Sequence, residues 1–135
     1  MAEQPKSPDY RGAEVILVVD DEEGVRAVVC RGLRSLGYQV LEARHGEDAI
    51  NVLRDHHEPV HLLVTDMVMP EMGGAELIRT LRTAYPGLRV LVISAYSREM
   101  VEAKGVLLPG ALFLHKPFNI STLAKTIREA LDAAQ

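Results

Sequence analysis

Long apolar runs are missing from this chain of 135 residues, although hydrophobic residues make up 47% of it. A helix that crosses a bilayer needs about 20 consecutive apolar residues, and here Arg, Asp, Glu or Lys interrupts every stretch before that length. The opening segment, MAEQPKSPDYRG, also lacks the apolar core of a secretion signal. We therefore predict a cytoplasmic protein with no membrane partner, in which residues 1–13 are a flexible lead-in and residues 14–135 form one domain.

Cysteine is scarce, and basic residues are outnumbered by acidic ones, 15 to 19. Cys30 is the single cysteine, which excludes an internal disulfide and a multi-cysteine metal site. It lies among apolar neighbours, so we predict a buried structural thiol. The net charge of −4 argues against direct binding of nucleic acid, because contacts with a phosphate backbone normally need a basic surface. A protein partner or a bound cation remains compatible with this charge.

Short apolar runs alternate along the chain with longer segments of helical periodicity. The runs are EVILVVD, YQVLEA, HLLVTD, LRVLVISAY and ALFLHKP, and each precedes one helical segment. This alternation is typical of a parallel sheet with helices on both faces. We therefore predict an α/β fold built on a five-stranded parallel sheet.

The helical segments differ in apolar content. The first places five apolar residues on its predicted inner face: Val25, Val28, Val29, Leu33 and Leu36. The fourth, predicted from about Ser97 to Lys104, has only Met100, Val101 and Ala103 to bury. Because little apolar surface would hold the fourth helix in place, we expect it to have a low local opening free energy.

Polar residues follow four of the predicted strands at their carboxyl ends. Asp20 and Asp21 follow the first strand, Asp66 the third, Ser94 the fourth and Lys116 the fifth. Any one of them alone is compatible with an ordinary solvated strand end. The carboxyl ends of parallel strands share one edge of the sheet, however, and open parallel sheets bind ligands at that edge. Three carboxylates, a hydroxyl and an ammonium together predict a functional site there.

At these residues the sequence resembles the receiver domains of two-component response regulators, over about residues 14–133. The matching features are the Asp20-Asp21 pair, Asp66 with MVMP behind it, Ser94, and KPF at 116 to 118. Within that family, ILVVDDEE, GYQVLEA and FLHKPF are most similar to receivers attached to hybrid sensor histidine kinases. The resemblance implies a flavodoxin-like sheet of strand order 2-1-3-4-5 and a cis peptide bond before Pro117.

The resemblance also implies a role for each site residue. Asp66 would be the phosphoacceptor, taking a phosphoryl group from the phosphohistidine of a histidine kinase or a histidine phosphotransfer protein. Lys116 and Ser94 would contact the phosphoryl oxygens. Ser94 and Phe113 would then form the switch that alters a protein-interaction face, for a downstream target that the sequence does not name. Phe113 is equally compatible with a purely structural place in the core.

A cluster of carboxylates needs a counter-charge, because like charges in close contact repel. Mg²⁺ favours oxygen ligands, and Asp21 and Asp66 suit it directly, with Asp20 acting through a water molecule. By resemblance, the backbone carbonyl of Val68 completes the protein ligands. Glu22 and Glu23 are alternative ligands, although the helix dipole also favours acidic residues in a first helical turn.

Two other functions fit the same fold less well. An aspartyl-phosphate phosphatase would need a general acid two residues after Asp66, and Val68 cannot serve as one. A phosphorylation-independent interaction module would be expected to have lost part of the acidic pair or the lysine, and the sequence keeps them all. We therefore predict a signalling domain that catalyses only its own phosphorylation and slow dephosphorylation, and no enzyme acting on separate substrates.

Overall fold

The computed structural model describes residues 9–67, 72–103 and 111–133. Its strands are β1 Val15–Val19, β2 Gln39–Ala43, β3 Leu62–Asp66, β4 Arg89–Ser94 and β5 Leu112–His115. All neighbouring strands pair in parallel, in the order β2-β1-β3-β4-β5. The predicted α/β fold and the strand order are confirmed.

Helices cover both faces of this sheet. They are α1 Glu23–Ser35, α2 Gly46–Asp55, α3 Gly74–Ala84, α4 Arg98–Ala103 and α5 Ile120–Asp132. Buried residues of α1 and α5 share one core cluster, and those of α2, α3 and α4 share the other. None of the helices in the described ranges is long and apolar enough to cross a membrane.

The central strands are apolar throughout because both of their faces are covered. In β1, Leu17 and Val19 pack towards α2 and α3, whereas Ile16 and Val18 pack towards α1 and α5. All five residues of β1 and of β3 are buried. Each large aliphatic side chain that is fully buried stabilises the fold by roughly 1.5–3 kcal/mol relative to the same side chain exposed to water. This packing holds rigidly the strand ends that carry the polar residues.

The inner face of α1 is narrower than its sequence suggests. Val29, Cys30 and Leu33 are buried as predicted, but Val28 is 59% exposed, so its predicted place on the inner face is wrong. The physical reason is helical phase: at about 100° per residue Leu33 lies between Val29 and Cys30 on the buried face, and Val28 lies about 140° around the axis from Leu33. Cys30 is 1% exposed, and burial raises the pKa of its thiol to about 12.

The fourth helix is short and weakly anchored. Val101 is buried, but Met100 is 48% exposed, so the prediction that both residues are buried is wrong for Met100. Successive residues on a helix point about 100° apart, and this short helix turns Val101 towards the core and Met100 towards solvent. The side chain of Ala103 and the whole of Lys104 lie outside the described residues.

At the amino ends of the strands, residues before β1 contact the connection between α1 and β2. The Gly12 N–H donates to the Leu36 carbonyl at 3.1 Å, and the Tyr38 hydroxyl donates to the Tyr10 carbonyl at 3.0 Å. Gly37 ends the α1 turn at φ +99°, where a Cβ would lie 2.6 Å from the Gly12 carbonyl oxygen. Only glycine fits this close approach without strain. At the carboxyl ends of the strands, Asn119 caps α5 by accepting from the Thr122 N–H at 2.8 Å.

Candidate functional site

Three carboxylates meet at the carboxyl edge of β1 and β3. Asp20 follows β1 directly and is fully buried, Asp66 is the last residue of β3 and is 7% exposed, and Asp21 is exposed. One carboxylate oxygen from each of the three lies within 4.8 Å of the others. The structure therefore brings together the acidic residues that the sequence singled out.

Lys116 supplies the positive charge of the cluster. Its Nζ lies 3.0 Å from Oδ2 of Asp66 and 3.2 Å from Oδ2 of Asp20. Burial works to lower the pKa of Lys116, but the hydrogen bond and charge of Asp66, together with Asp20, raise it well above its usual value. Burial is also the main reason why the pKa of Asp20 is raised. The peptide bond between Lys116 and Pro117 is cis, as the resemblance implied.

Ser94 is fully buried at the end of β4. Its Oγ accepts a hydrogen bond from the Tyr96 N–H at 3.0 Å, and its carbonyl accepts from the Lys116 N–H at 2.7 Å. Ser94, Asp66 and Lys116 line one cavity of about 210 Å³. Accepting the bond from Tyr96 does not use the hydroxyl hydrogen, so Ser94 can still donate to a group in that cavity.

Of the two remaining predicted site residues, the structure describes Phe113 but not Val68. Phe113 lies on β5 opposite Val92, is partly buried, and packs against the core cluster that contains Val101 of α4. Its side chain therefore packs on the face of the sheet that the weakly anchored helix covers. Val68, whose carbonyl was predicted as a metal ligand, lies outside the described residues.

Sequence reasoning missed the partner of Glu22, which it treated only as an alternative metal ligand. The Glu22 Oε1 lies 3.2 Å from Lys116 Nζ, across 94 positions of sequence. Glu22 and Lys116 also border a second cavity of about 790 Å³, whose lining includes Val25, Val28 and Phe118. The only signal in the sequence was the position of Glu22 directly after the acidic pair.

The residues present fit a hard divalent cation. The donors are carboxylate oxygens, which Mg²⁺ and Ca²⁺ prefer, and no softer nitrogen or sulfur donor belongs to this group of three. One lysine neutralises only part of the combined charge of Asp20, Asp21 and Asp66. The arrangement can therefore bind a cation and present Asp66 to an electrophile in the adjoining cavity.

Comparisons with known proteins agree with this geometry. Residues 16–128 match the response regulator receiver domain model, and the chain belongs to that family. It is 36% identical over 130 residues to the sensor kinase CckA of Brucella abortus, covering 94% of this chain and 13% of that protein. It is 33% identical over 119 residues to the response regulator receiver protein CpdR of the same organism, covering 88% of this chain and 98% of that protein.

A solved structure supports the same assignment. The crystal structure of the receiver domain from the hybrid histidine kinase CckA aligns with a TM-score of 0.73 at 36% identity, covering 87% of this chain and 98% of that one. The chain spans half or less of the length of several curated relatives that it matches. The predicted family is confirmed, as is the likeness to receivers of hybrid kinases.

Proposed function

We propose that this receiver domain accepts a phosphoryl group on Asp66 from the phosphohistidine of a histidine kinase or a histidine phosphotransfer protein. The observation that carries the proposal is the placement of Asp66 at the end of β3. Its carboxylate lies 3.0 Å from the Lys116 ammonium and lines one cavity with Ser94. Asp20 and Asp21 lie close enough to share a cation with it.

The transfer step needs position and charge more than covalent help from the protein. One carboxylate oxygen of Asp66 attacks the phosphorus in line with the leaving nitrogen. The O–P bond forms as the P–N bond breaks, and the electron pair of the P–N bond returns to the imidazole. Lys116 neutralises one phosphoryl oxygen, and Ser94 donates a hydrogen bond to another. Burial of the strand beneath Asp66 keeps the acceptor fixed during attack.

A magnesium ion fits the acidic group beside this acceptor. Asp21 and Asp66 would bind it directly, and Asp20 would act through a water molecule. Bound there, Mg²⁺ supplies positive charge that offsets the carboxylates and the incoming phosphoryl oxygens. Glu22 is a weaker candidate ligand because its carboxylate contacts Lys116.

The partners and the output follow from the same role. Histidine kinases or phosphotransfer proteins are the proposed donors, and the cytoplasm is the proposed location. Phosphorylation would draw the Ser94 hydroxyl towards the phosphoryl group, and the Phe113 ring would repack beside α4. That change would alter the surface formed by α4, β5 and α5, which is the proposed face for a downstream protein.

Phosphorylation by a small donor tests this function. Incubation with acetyl phosphate and Mg²⁺ should add one phosphoryl group, measured by intact mass, and chelation of Mg²⁺ should abolish the gain. Asp66→Asn should show no gain, whereas Asp55→Asn, which removes an exposed carboxylate at the end of α2, should be labelled like the wild type. Labelling that survives in Asp66→Asn contradicts the proposal.

A further inference from the structure

Glu22 occupies the N-cap position of α1 but does not cap the helix. An N-cap side chain normally accepts a hydrogen bond from a backbone N–H in the first turn, and Glu22 makes no such bond. Its backbone is held at both groups: the N–H donates to Oδ1 of Asp20 at 2.9 Å, and the carbonyl accepts from the Arg26 N–H at 2.9 Å. With the backbone held, the side chain turns towards the acceptor site and reaches Lys116.

The Lys116 ammonium is fully engaged in this arrangement. A lysine has three N–H donors, and Nζ of Lys116 contacts three carboxylates, those of Asp20, Glu22 and Asp66. Phosphorylation converts the Asp66 carboxylate into an acyl phosphate, so the phosphoryl oxygens then compete with the carboxylates of Asp20 and Glu22 for the Lys116 ammonium. Which of these two carboxylates releases Lys116 depends on how easily each returns to water.

The three carboxylates differ sharply in exposure. The side chain of Asp20 is 0% exposed and that of Asp66 is 9% exposed, whereas that of Glu22 is 60% exposed. A buried carboxylate that loses its partner is strongly destabilising, but an exposed one is solvated at little expense. Glu22 is therefore the carboxylate that releases Lys116 most readily.

We propose that Glu22 is a positioning residue that holds Lys116 in the resting site and competes with the phosphoryl group for it. The inference rests on the proposed function of Asp66 as phosphoacceptor. Glu22 thereby sets the balance between the resting and phosphorylated arrangements of the site. Removing its carboxylate frees one donor of Lys116, and the site then binds a phosphoryl group more tightly.

Three variants separate this contact from a general effect of charge. Glu22→Gln removes the charge, and Glu22→Asp keeps the charge but shortens the reach by one methylene. Glu23→Gln is the matched control, because it removes one negative charge from the neighbouring exposed residue at the start of α1, which does not belong to the cluster of Asp20, Asp21 and Asp66. None of the three changes Asp66, Ser94 or Lys116.

Beryllofluoride, which stands in for the phosphoryl group, is titrated into each protein at saturating Mg²⁺. Binding is followed by the amide resonances of Ser94 and Lys116, and Mg²⁺ affinity is measured separately. Removing an exposed ion pair of this kind should raise the affinity for beryllofluoride roughly two- to five-fold. We expect that gain in Glu22→Gln and in Glu22→Asp, with Glu23→Gln like the wild type and Mg²⁺ affinity equal in both Gln variants.

Four results overturn the proposal. Equal gains in Glu22→Gln and Glu23→Gln show a general charge effect, and unchanged affinity in Glu22→Gln shows that the contact does not compete. Wild-type affinity in Glu22→Asp shows that reach to Lys116 is unimportant. Weaker Mg²⁺ binding in Glu22→Gln alone assigns Glu22 to the metal instead. A wild type that neither binds beryllofluoride nor is labelled by acetyl phosphate refutes the proposed function itself, which is a separate outcome.

Discussion

Replacing Lys116 with methionine should destabilise the metal-free protein and make its stability strongly dependent on Mg²⁺. The substitution keeps most of the apolar stem of the side chain and removes the ammonium. Asp20 and Asp66 then remain packed together without the cation that lies 3.2 and 3.0 Å from them. Like charges that lose their counter-charge oppose the folded state.

The exposure of the side chains sets the size of this effect. Lys116 is 12% exposed, Asp66 9% and Asp20 0%, so these two pairs lie largely out of solvent. Exposed ion pairs contribute about 0.2–1 kcal/mol, but removing one partner of a buried pair costs about 3–5 kcal/mol. Because Asp21 and Glu22 are exposed to water on one side of the site, we take the lower end of the range for a buried pair, about 3 kcal/mol. For a domain of this size that corresponds to a fall in Tm of roughly 10 °C.

Thermal melts with and without Mg²⁺ measure the effect. Lys125→Met is the matched control, because Lys125 is an exposed residue of α5, and it should melt within a degree or two of the wild type, about the limit for a neutral surface change. Added Mg²⁺ should stabilise Lys116→Met more than the wild type. Burial raises the pKa of Asp20, so acidification through that pKa should protonate the Asp20 carboxylate. The difference in Tm between Lys116→Met and the wild type should then become smaller. Equal Tm values for Lys116→Met and Lys125→Met would refute this reasoning. A fall in the Tm of Lys116→Met that Mg²⁺ does not change would also refute it.

Three further predictions concern the metal, the switch and the N-terminal contacts. Asp21→Ala should lose most of the thermal stabilisation given by Mg²⁺, and equal stabilisation would exclude Asp21 as a ligand. Ser94→Ala should weaken the amide shifts that beryllofluoride causes in α4 and around Phe113, and unchanged shifts would remove Ser94 from the switch. Burial works to raise the pKa of Glu14, but Arg128 and backbone hydrogen bonds lower it below 4.5. Glu14→Gln should therefore cost about 1 kcal/mol at neutral pH, a difference that fades as pH falls from 4.5 through the folded pKa and that urea titrations measure.

The sheet and the main site residues could be predicted because the same physical constraint produces both. Strands buried on two faces appear as continuous apolar runs, so each polar residue that ends a run marks a strand end. Parallel pairing then places all such ends on one edge, which is why Asp20, Asp66, Ser94 and Lys116 converge. Identifying that edge required no knowledge of any single contact.

The details that failed depend on side-chain direction and on long-range packing. Val28 and Met100 were placed on inner faces because both are apolar, but a shift of one residue on a helix turns a side chain by about 100°. The contact between Glu22 and Lys116 joins residues 94 positions apart, and no local pattern reports such a distance. The close approach of Gly12 to Gly37 is hidden in the sequence for the same reason.

Chemical trapping of the phosphorylated residue tests the central claim most directly. The protein is incubated with acetyl phosphate and Mg²⁺, reduced with borohydride, which converts an aspartyl phosphate to homoserine, and digested for tandem mass spectrometry. The account predicts homoserine at position 66 alone, absent when Mg²⁺ is chelated. Homoserine at position 20 or 21, or its absence from position 66 in a protein whose mass shows a phosphoryl group, would contradict it.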